Sequence, residues 1–257
     1  MNQADGAGLR GQAAEPWQSA SRVAFFGGSF DPPHMGHLAV ARAARTAFSL
    51  DAVLFAPVGA QPLKPEGSTA SFEHRVAMTR LAIEGEQGFF LSLADAPKPP
   101  RGGRPARLLP NYTIDTLEGM RAAMRPDSVL YCLMGADAFF GLRRWHRARE
   151  IPFAAWLIVA SRPGQQLDGL KDAVPEGLVL ERAPGGDRSE SGVEVRAFSL
   201  VSAEGKRAPF YVLPGLDVEI SATEIRTQMR EGNESLTAST VLAPRIAEYI
   251  RAHGLYR

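Results

Sequence analysis

The sequence has very few of the features that mark secreted, membrane or nucleic-acid-binding proteins. It has one cysteine in 257 residues, Cys132, which excludes an internal disulfide and suits a reducing compartment. No apolar run reaches the roughly 18 residues that a membrane span needs, and the N-terminus lacks a secretory apolar region. Lys plus Arg number 29 and Asp plus Glu 28, a net charge of +1, whereas nucleic-acid binding usually brings a basic excess. These absences predict a cytoplasmic protein with neither a membrane nor a nucleic acid as partner.

Two common catalytic signatures are also missing. No Cys/His cluster has the spacing of a zinc site, and no Gly-x-Ser-x-Gly elbow indicates a serine hydrolase. The most glycine-rich turn that follows an apolar run does not have the dinucleotide-binding pattern G-x-G-x-x-G. It is not a P-loop either, because no Gly-Lys-Ser/Thr follows it. Any phosphate chemistry therefore has to rest on other residues.

What the chain does contain is a dense polar turn at residues 27–37. It follows the apolar run 23–26 and precedes an Ala- and Leu-rich run, 38–48, which is the pattern of a strand, a turn and a helix. Gly27 and Gly28 allow a sharp turn and a close approach to a ligand. A helix beginning near His34 would place His34 and His37 on one face, at the end whose free N–H groups and dipole favour an anion. The turn therefore predicts a phosphate site.

Apolar runs predict further strands, and amphipathic runs predict helices. The predicted strands are 51–57, 89–93, 129–134, 154–160 and 210–213, with weaker runs at 178–180 and 193–198. The predicted helices are 71–84, 111–124 and 241–252. Ser71 and Asn111 are candidate N-caps, Gly254 is a candidate C-cap, and Arg75 is expected on the surface. Run 129–134 is fully apolar, so it is predicted to be a central strand.

The length suits one large α/β domain or two small ones. Residues 1–21 are polar and aperiodic, and we expect them to be a disordered extension. Residues 22–257 are treated as a single domain. Within it, segment 165–208 is the least informative, and irregular or short antiparallel structure is expected there.

A second polar motif begins at Ser221. Ser221 and Glu224 form a capping box, and the simplest interpretation is a helix start and nothing more. With Thr223 and Arg226 in the first turns, the same helix end also suits an anion. Asp137 follows a predicted central strand through Gly135, at the strand end where open α/β sheets bind ligands.

These residues supply two histidines, helix N-termini and cations, with no obvious nucleophile or base. That set suits phosphoryl or nucleotidyl transfer, in which positioning and charge stabilisation do most of the catalysis. We expect Mg²⁺ on a nucleoside triphosphate, held mostly by substrate oxygens and water.

The run from Gly27 to His37 resembles the signature of the His-x-Gly-His nucleotidyltransferase superfamily, and most of all that of bacterial nicotinate-nucleotide adenylyltransferases. The similarity covers roughly residues 23–257. Its further matching segments are Pro62-Leu63-Lys64, Tyr112-Thr113 with Thr116-Leu117, Gly135-Ala136-Asp137, Trp145, Arg162-Pro163-Gly164, Ile220 to Arg226, and Gly254 to Arg257. The resemblance implies a Rossmann-like parallel sheet with helices on both faces and a small helical C-terminal portion.

It also implies adenylyl transfer from ATP to nicotinate mononucleotide, giving deamido-NAD and pyrophosphate in NAD biosynthesis. The catalytic residues would be His34, His37 and Arg226. ATP would be bound by Gly27, Gly28, Ser29, Phe30, Gly36, Gly135, Asp137, Ser221 and Thr223. The nicotinate nucleotide would be bound by Lys64, Tyr112, Thr113, Trp145 and Arg162.

Three departures and several alternatives accompany this interpretation. The loop after the second strand reads Gln61-Pro62-Leu63-Lys64, where several members have Pro-Pro-His-Lys/Arg; the N-terminal extension and segment 165–208 have no clear counterpart. A nicotinamide or dual acceptor specificity stays open. A phosphopantetheine enzyme would be much shorter, and a class I aminoacyl-tRNA synthetase would be larger with a Lys-rich second motif. A nucleotide-binding sensor without turnover is the alternative from another functional class. The sequence is compatible with a homo-oligomer and does not fix the oligomeric state.

Overall fold

A computed structural model describes residues 15–63, 66–98, 109–161, 169–183, 185–216, 221–231 and 241–257. No helix among these residues has the length and apolarity to cross a membrane. The strands are β1 Arg22–Gly28, β2 Ala52–Pro57, β3 Phe89–Leu91, β4 Val129–Gly135, β5 Trp156–Ala160, β6 Leu178–Arg182, β7 Arg188–Glu190, β8 Val193–Ser202 and β9 Arg207–Leu213. The α-helices are α1 Met35–Phe48, α2 Phe72–Ile83, α3 Thr113–Ala123, α4 Ala136–Phe140, α5 Ile151–Ala154, α6 Gly169–Ala173, α7 Ala222–Arg230 and α8 Pro244–Ala252.

One mostly parallel sheet organises these elements, in the order β3-β2-β1-β4-β5-β9-β8-β6, with β7 paired to β8. The first six strands of that order pair in parallel, and β8 adds antiparallel neighbours at the far side. The parallel part has the doubly wound Rossmann order, with β9 in the place of the sixth strand. The fold is Rossmann-like, and α8 supplies the small helical C-terminal portion.

The strands alternate between two apolar layers because successive side chains point to opposite faces. In β1, Ala24 and Phe26 belong to one buried cluster, whereas Val23 and Phe25 belong to the other. Buried residues of α1, α2, α7 and α8 complete the first cluster, and those of α3, α4, α5 and α6 complete the second. Helices therefore cover both faces, which explains why the parallel strands read as continuous apolar runs.

Strand β1 lies where the direction of the sheet order reverses, between β2 and β4. The helices that follow β1 and β4 pack on opposite faces of the sheet. The loops at the carboxyl ends of these two strands therefore separate and leave a cleft between them, as open α/β sheets do at a switch point. The polar turn after β1 and the Gly135–Asp137 segment after β4 meet at this cleft.

The structure corrects several details of the sequence interpretation. The extension predicted to be disordered over residues 1–21 has a 3-10 helix, Pro16–Ser19, and Trp17 packs against the second apolar cluster. Residues 1–14 lie outside the described part. Segment 165–208 was expected to be irregular or short antiparallel structure, and its described part has α6 and three antiparallel strands, of which β8 is ten residues long. Much of β8 is only partly buried, so its sequence has no continuous apolar run that would mark a strand of this length.

Two cap predictions were also wrong. Tyr112, rather than Asn111, is the N-cap of α3, while the Asn111 side chain accepts the Ala60 N–H at 3.0 Å and donates to the Ala96 carbonyl at 2.9 Å. Asn111 therefore ties together the loops that follow β2 and β3. Gly254 lies one residue beyond the C-cap of α8 and has the left-handed φ of 60° that glycine favours there. Ser71 is the N-cap of α2 as predicted, accepting the His74 N–H.

Arg75, expected on the surface of α2, is 2% exposed. Its guanidinium donates to the carbonyl oxygens of Ser29 at 2.7 Å, Val58 at 2.8 Å and Ala70 at 3.3 Å. Burial lowers its pKa, and the nearby Asp31 carboxylate acts in the opposite direction. Because arginine stays protonated across the working range, the buried cation fastens the loops after β1 and β2 to the start of α2.

Arg75→Met should lower the free energy of unfolding by about 3 kcal/mol, because three buried carbonyl oxygens lose their charged donor. The matched control is Arg80→Met, an exposed position on the same helix. Urea denaturation of both variants checks the expectation. A loss below about 1 kcal/mol at Arg75, or equal losses at the two sites, would contradict the role assigned to the buried cation.

Candidate active site

The cleft at the switch point has a volume of about 570 Å³. Its walls come from the turn after β1, the start of α1, the loop before α2, the start of α4, the end of β5 and the start of α7. All residues predicted for catalysis or for ATP binding line it: Gly27, Gly28, Ser29, Phe30, His34, Gly36, His37, Gly135, Asp137, Ser221, Thr223 and Arg226. Residues nearly 200 positions apart in sequence thus share one concave surface.

His34 and His37 lie side by side at the start of α1. His34 is its N-cap, with an extended backbone, and the centroids of the two imidazole rings are 3.8 Å apart. The His34 N–H donates to Nδ1 of His37 at 3.1 Å, and the His37 N–H donates to the His34 carbonyl at 2.9 Å. These reciprocal bonds hold both rings at the mouth of the helix.

The hydrogen bond from His34 determines the tautomer of His37. Since Nδ1 of His37 accepts an N–H, the proton of the neutral ring lies on Nε2. Burial lowers the pKa of His37 well below its ordinary value of 6.5, and the neighbouring His34 lowers it further. A neutral ring at neutral pH can therefore present Nε2–H as a donor, and that nitrogen has no lone pair in the ring plane with which to attack.

Phe30 fixes the other side of the His37 ring. The two ring centroids are 5.0 Å apart in an edge-on arrangement, and Phe30 is 1% exposed. The φ of Phe30 is 47°, in the left-handed region that bulky residues seldom adopt. Such a conformation persists only where the surrounding packing determines it, and here it directs the loop between β1 and α1.

Two of the backbone N–H groups at the start of α1, which were expected to bind an anion, already bond to carbonyl oxygens of the protein. The Met35 N–H donates to the Val241 carbonyl at 2.9 Å, and the His37 N–H is bound to His34. The dipole and the two imidazole rings, rather than these two N–H groups, are therefore what this helix end offers an anion.

Arg226 projects from α7 into the same cleft. Its Nη1 donates to the Asp31 carbonyl at 2.7 Å, and its Nη2 donates to Oγ1 of Thr223 at 3.1 Å. The Ser221 hydroxyl accepts the Glu224 N–H at 3.2 Å and donates to the Glu224 carboxylate at 2.9 Å, so it serves the capping box. The guanidinium is thus held in a fixed position in the cleft that the two histidines also line.

Asp31, in the turn after β1, is 4% exposed, and its carboxylate has three hydrogen-bond donors. The backbone N–H groups of Thr69 and Ala70 approach it at 2.6 and 3.1 Å, and the Tyr256 hydroxyl approaches it at 2.7 Å. No local pattern shows these partners, which lie 38, 39 and 225 residues away along the chain.

Of the residues predicted to bind the nicotinate nucleotide, the three that the structure describes, Tyr112, Thr113 and Trp145, do not line the cleft. Tyr112 is the N-cap of α3, and the centroid of its ring lies 4.2 Å from that of His146. Trp145 follows α4 in the chain, and its side chain is half-buried against the second apolar cluster. Thr113 is the first residue of α3. Lys64 and Arg162 lie outside the described residues.

A family model described as cytidylyltransferase-like matches residues 25–228. A protein of Gloeobacter violaceus described as a probable nicotinate-nucleotide adenylyltransferase is 35% identical over 236 residues, covering 91% of this chain and 96% of that protein. One of Laribacter hongkongensis with the same description is 36% identical over 235 residues, covering 91% of this chain and 94% of that protein.

Solved structures support the fold independently. The nicotinic acid mononucleotide adenylyltransferase of Plasmodium falciparum, in complex with NaAD, superposes with a TM-score of 0.61 at 16% identity and covers 92% of this chain and 97% of its own. At that identity the likeness concerns the fold. The family model covers most of the chain, and the two bacterial relatives are similar over nine-tenths of it. The chain therefore belongs to the cytidylyltransferase-like family and, within it, to the nicotinate-nucleotide adenylyltransferases.

Proposed function

We propose that this protein transfers AMP from ATP to nicotinate mononucleotide, forming deamido-NAD and pyrophosphate in NAD biosynthesis. The observation that carries the proposal is the convergence of His34, His37 and Arg226 on one cleft at the switch point of the sheet. The described relatives carry the name of this activity. The cleft supplies hydrogen-bond donors and positive charge, the two things that a triphosphate requires.

The reaction needs no protein nucleophile. An oxygen of the ionised acceptor phosphate attacks the α-phosphorus of ATP, and the bond from that phosphorus to the oxygen bridging the α and β positions breaks. The electron pair leaves with pyrophosphate, and no proton has to be removed from the attacking oxygen. The residues of the chain therefore act by holding the substrates in line and by stabilising charge.

His37 and Arg226 suit complementary parts of that task. His37 donates Nε2–H to a phosphate oxygen without bringing a full charge, because burial keeps its ring neutral. Arg226 brings a permanent charge that is already oriented by Asp31 and Thr223, so little reorganisation accompanies binding. We propose that these two groups, together with His34, stabilise the negative charge that develops on the α-phosphate and on the leaving pyrophosphate.

Mg²⁺ enters this scheme as part of the Mg–ATP substrate. Among the described residues, no group of three or more His, Cys, Asp or Glu side chains is arranged to hold a metal ion. Phosphate oxygens and water are hard ligands that satisfy Mg²⁺ with few protein groups. Asp137, exposed on the wall of the cleft, is the carboxylate we assign to the ATP side of the site.

We propose that nicotinate mononucleotide binds near Tyr112, Thr113 and Trp145, with Lys64 and Arg162 as further contacts. The start of α3 is tied to the loop after β2 through the bonds between Asn111 and Ala60. This places it at the carboxyl edge of the sheet, where the ATP cleft also lies. Aromatic side chains at such an edge offer a face for a pyridine ring.

Pyrophosphate release tests the proposal. With Mg–ATP, nicotinate mononucleotide should support turnover, and His37→Ala should reduce kcat by about 10²- to 10³-fold, the usual effect of removing one preorganised donor to a developing oxyanion. His253→Ala, which changes an exposed histidine away from the cleft, is the matched control and should retain full activity.

The acceptor is varied in the same assay. Equal rates with nicotinate and nicotinamide mononucleotides would show an enzyme of dual specificity. A higher rate with nicotinamide mononucleotide would contradict the proposed acceptor. ATP binding without pyrophosphate release from either acceptor would leave a nucleotide sensor.

Gly135→Ala should weaken ATP binding at least tenfold while the fold is retained. A Cβ built at Gly135 meets no heavy atom of the described residues within 4 Å, and the φ of −75° is open to any residue, so none of these residues requires glycine here. The free energy of unfolding should change by less than about 1 kcal/mol. Calorimetric titration with ATP and urea denaturation of the same sample check both parts. Unchanged ATP affinity would show that the ligand does not approach this wall.

The neutral state of the half-buried His37 should make stability depend on pH. Below pH 6.5 the unfolded chain binds a proton at this residue and the folded chain does not, so stability is lost as the pH falls from 6.5 towards the lowered folded pKa. The contribution to the slope reaches about 1.4 kcal/mol per pH unit. His37→Asn, whose Oδ1 can accept the His34 N–H, should flatten the curve of unfolding free energy against pH between 7 and 5. Parallel wild-type and variant curves would exclude an imidazole that stays neutral in the folded protein.

A further inference from the structure

The position of Arg226 depends on the loop that carries Asp31. Arg226 is bound to the backbone carbonyl of Asp31, so any shift of that carbonyl moves the guanidinium. The loop is fastened in turn through the carboxylate of the same residue, which is held by Thr69, Ala70 and Tyr256. Asp31 therefore connects the turn after β1 with the loop before α2, with α7 and with the residues after α8.

Tyr256 is the only side chain among the three described donors to this carboxylate; the other two are backbone N–H groups. Its ring is 5% exposed and belongs to the first apolar cluster, beside residues of α1 and α8. Burial, and then the hydrogen bond to Asp31, raises the pKa of its hydroxyl far above the ordinary range. The hydroxyl therefore stays protonated and acts as a donor.

The backbone of Tyr256 also shows that its placement is determined by these contacts. Its φ is 64°, in the left-handed region that non-glycine residues seldom occupy. Such a conformation is maintained where packing and hydrogen bonding specify it. Here the ring contacts and the bond to Asp31 are the interactions that do so.

We propose that Tyr256 is a positioning residue of the active site. By donating a hydrogen bond to the Asp31 carboxylate, it fixes the backbone carbonyl of Asp31, which in turn orients the Arg226 guanidinium towards the polyphosphate. The proposal rests on the adenylyl transfer proposed above. Tyr256 itself does not line the cleft, and it acts through Asp31 and Arg226.

Tyr249 provides a matched comparison. It lies in α8, and its hydroxyl forms one hydrogen bond of similar length, 3.0 Å, to Nδ1 of His74. Neither Tyr249 nor His74 lines the cleft. Each Tyr→Phe substitution therefore removes one hydroxyl and one hydrogen bond. Only Tyr256 is connected to Arg226, through the hydrogen bonds of Asp31.

The experiment measures kcat, the affinity for Mg–ATP without acceptor, and thermal unfolding for both variants. Tyr256→Phe should lower kcat at least tenfold and weaken ATP binding at least threefold, while Tyr249→Phe stays within twofold of wild type in both. A kcat and an affinity within twofold of wild type for Tyr256→Phe, or equal losses in the two variants, would overturn the proposal. If Tyr256→Phe does not fold, Asp31→Asn, which keeps the shape of the side chain, takes its place in the comparison.

A double variant separates positioning from general loosening. Arg226→Lys loses the planar fork through which the Asp31 carbonyl orients the cation. If Tyr256 acts through Arg226, adding Tyr256→Phe to Arg226→Lys should change kcat less than twofold further. A full additional tenfold loss would show an independent effect and contradict the proposal.

The ATP-binding measurement keeps this test distinct from that of the proposed function. Wild-type protein that binds ATP but releases no pyrophosphate with either acceptor would overturn adenylyl transfer. The comparison of ATP affinity between the two Tyr→Phe variants would still decide whether Tyr256 positions the nucleotide site.

Discussion

The pairing of β1 with parallel neighbours on both sides is the constraint on which the site depends. Because β2 and β4 flank it while the helices after β1 and β4 cover opposite faces, the loops at these strand ends must part. The cleft that results is a product of chain topology. Because helices bury the sheet on both faces, its strands are rigid, and they hold the polar groups at the edge of the sheet in fixed positions.

Within the cleft, internal hydrogen bonds hold the side chains that we propose to be catalytic. The bond from the His34 N–H to His37 sets the tautomer of one imidazole, and the carbonyl of Asp31 sets the direction of Arg226. Beneath them, Arg75 binds three carbonyl oxygens of the surrounding loops. Preorganised donors of this kind favour a reaction in which charge is redistributed over phosphate oxygens, since they need no rearrangement as the charge develops.

Much of this arrangement could be predicted from sequence because its signals are local. The apolar runs predicted the parallel strands, and the glycine turn with its two histidines predicted the start of α1. The length of the antiparallel strand β8 was underestimated because only part of the strand is buried. The burial of Arg75 and the bond between Asp31 and Tyr256 join positions far apart in the chain, and a single sequence has no periodicity that marks such pairs. The loop residues Lys64 and Arg162 stay predictions.

We propose that the chain transfers the adenylyl group directly, with His37 as a hydrogen-bond donor and not a nucleophile. The most direct test is the configuration at phosphorus when the enzyme uses ATP carrying a chiral thiophosphate at the α position. A single in-line attack by the acceptor phosphate predicts inversion of configuration in the dinucleotide product. Retention would require two displacements through an adenylyl-enzyme intermediate, and it would contradict the role that the hydrogen bond from His34 assigns to the imidazole of His37.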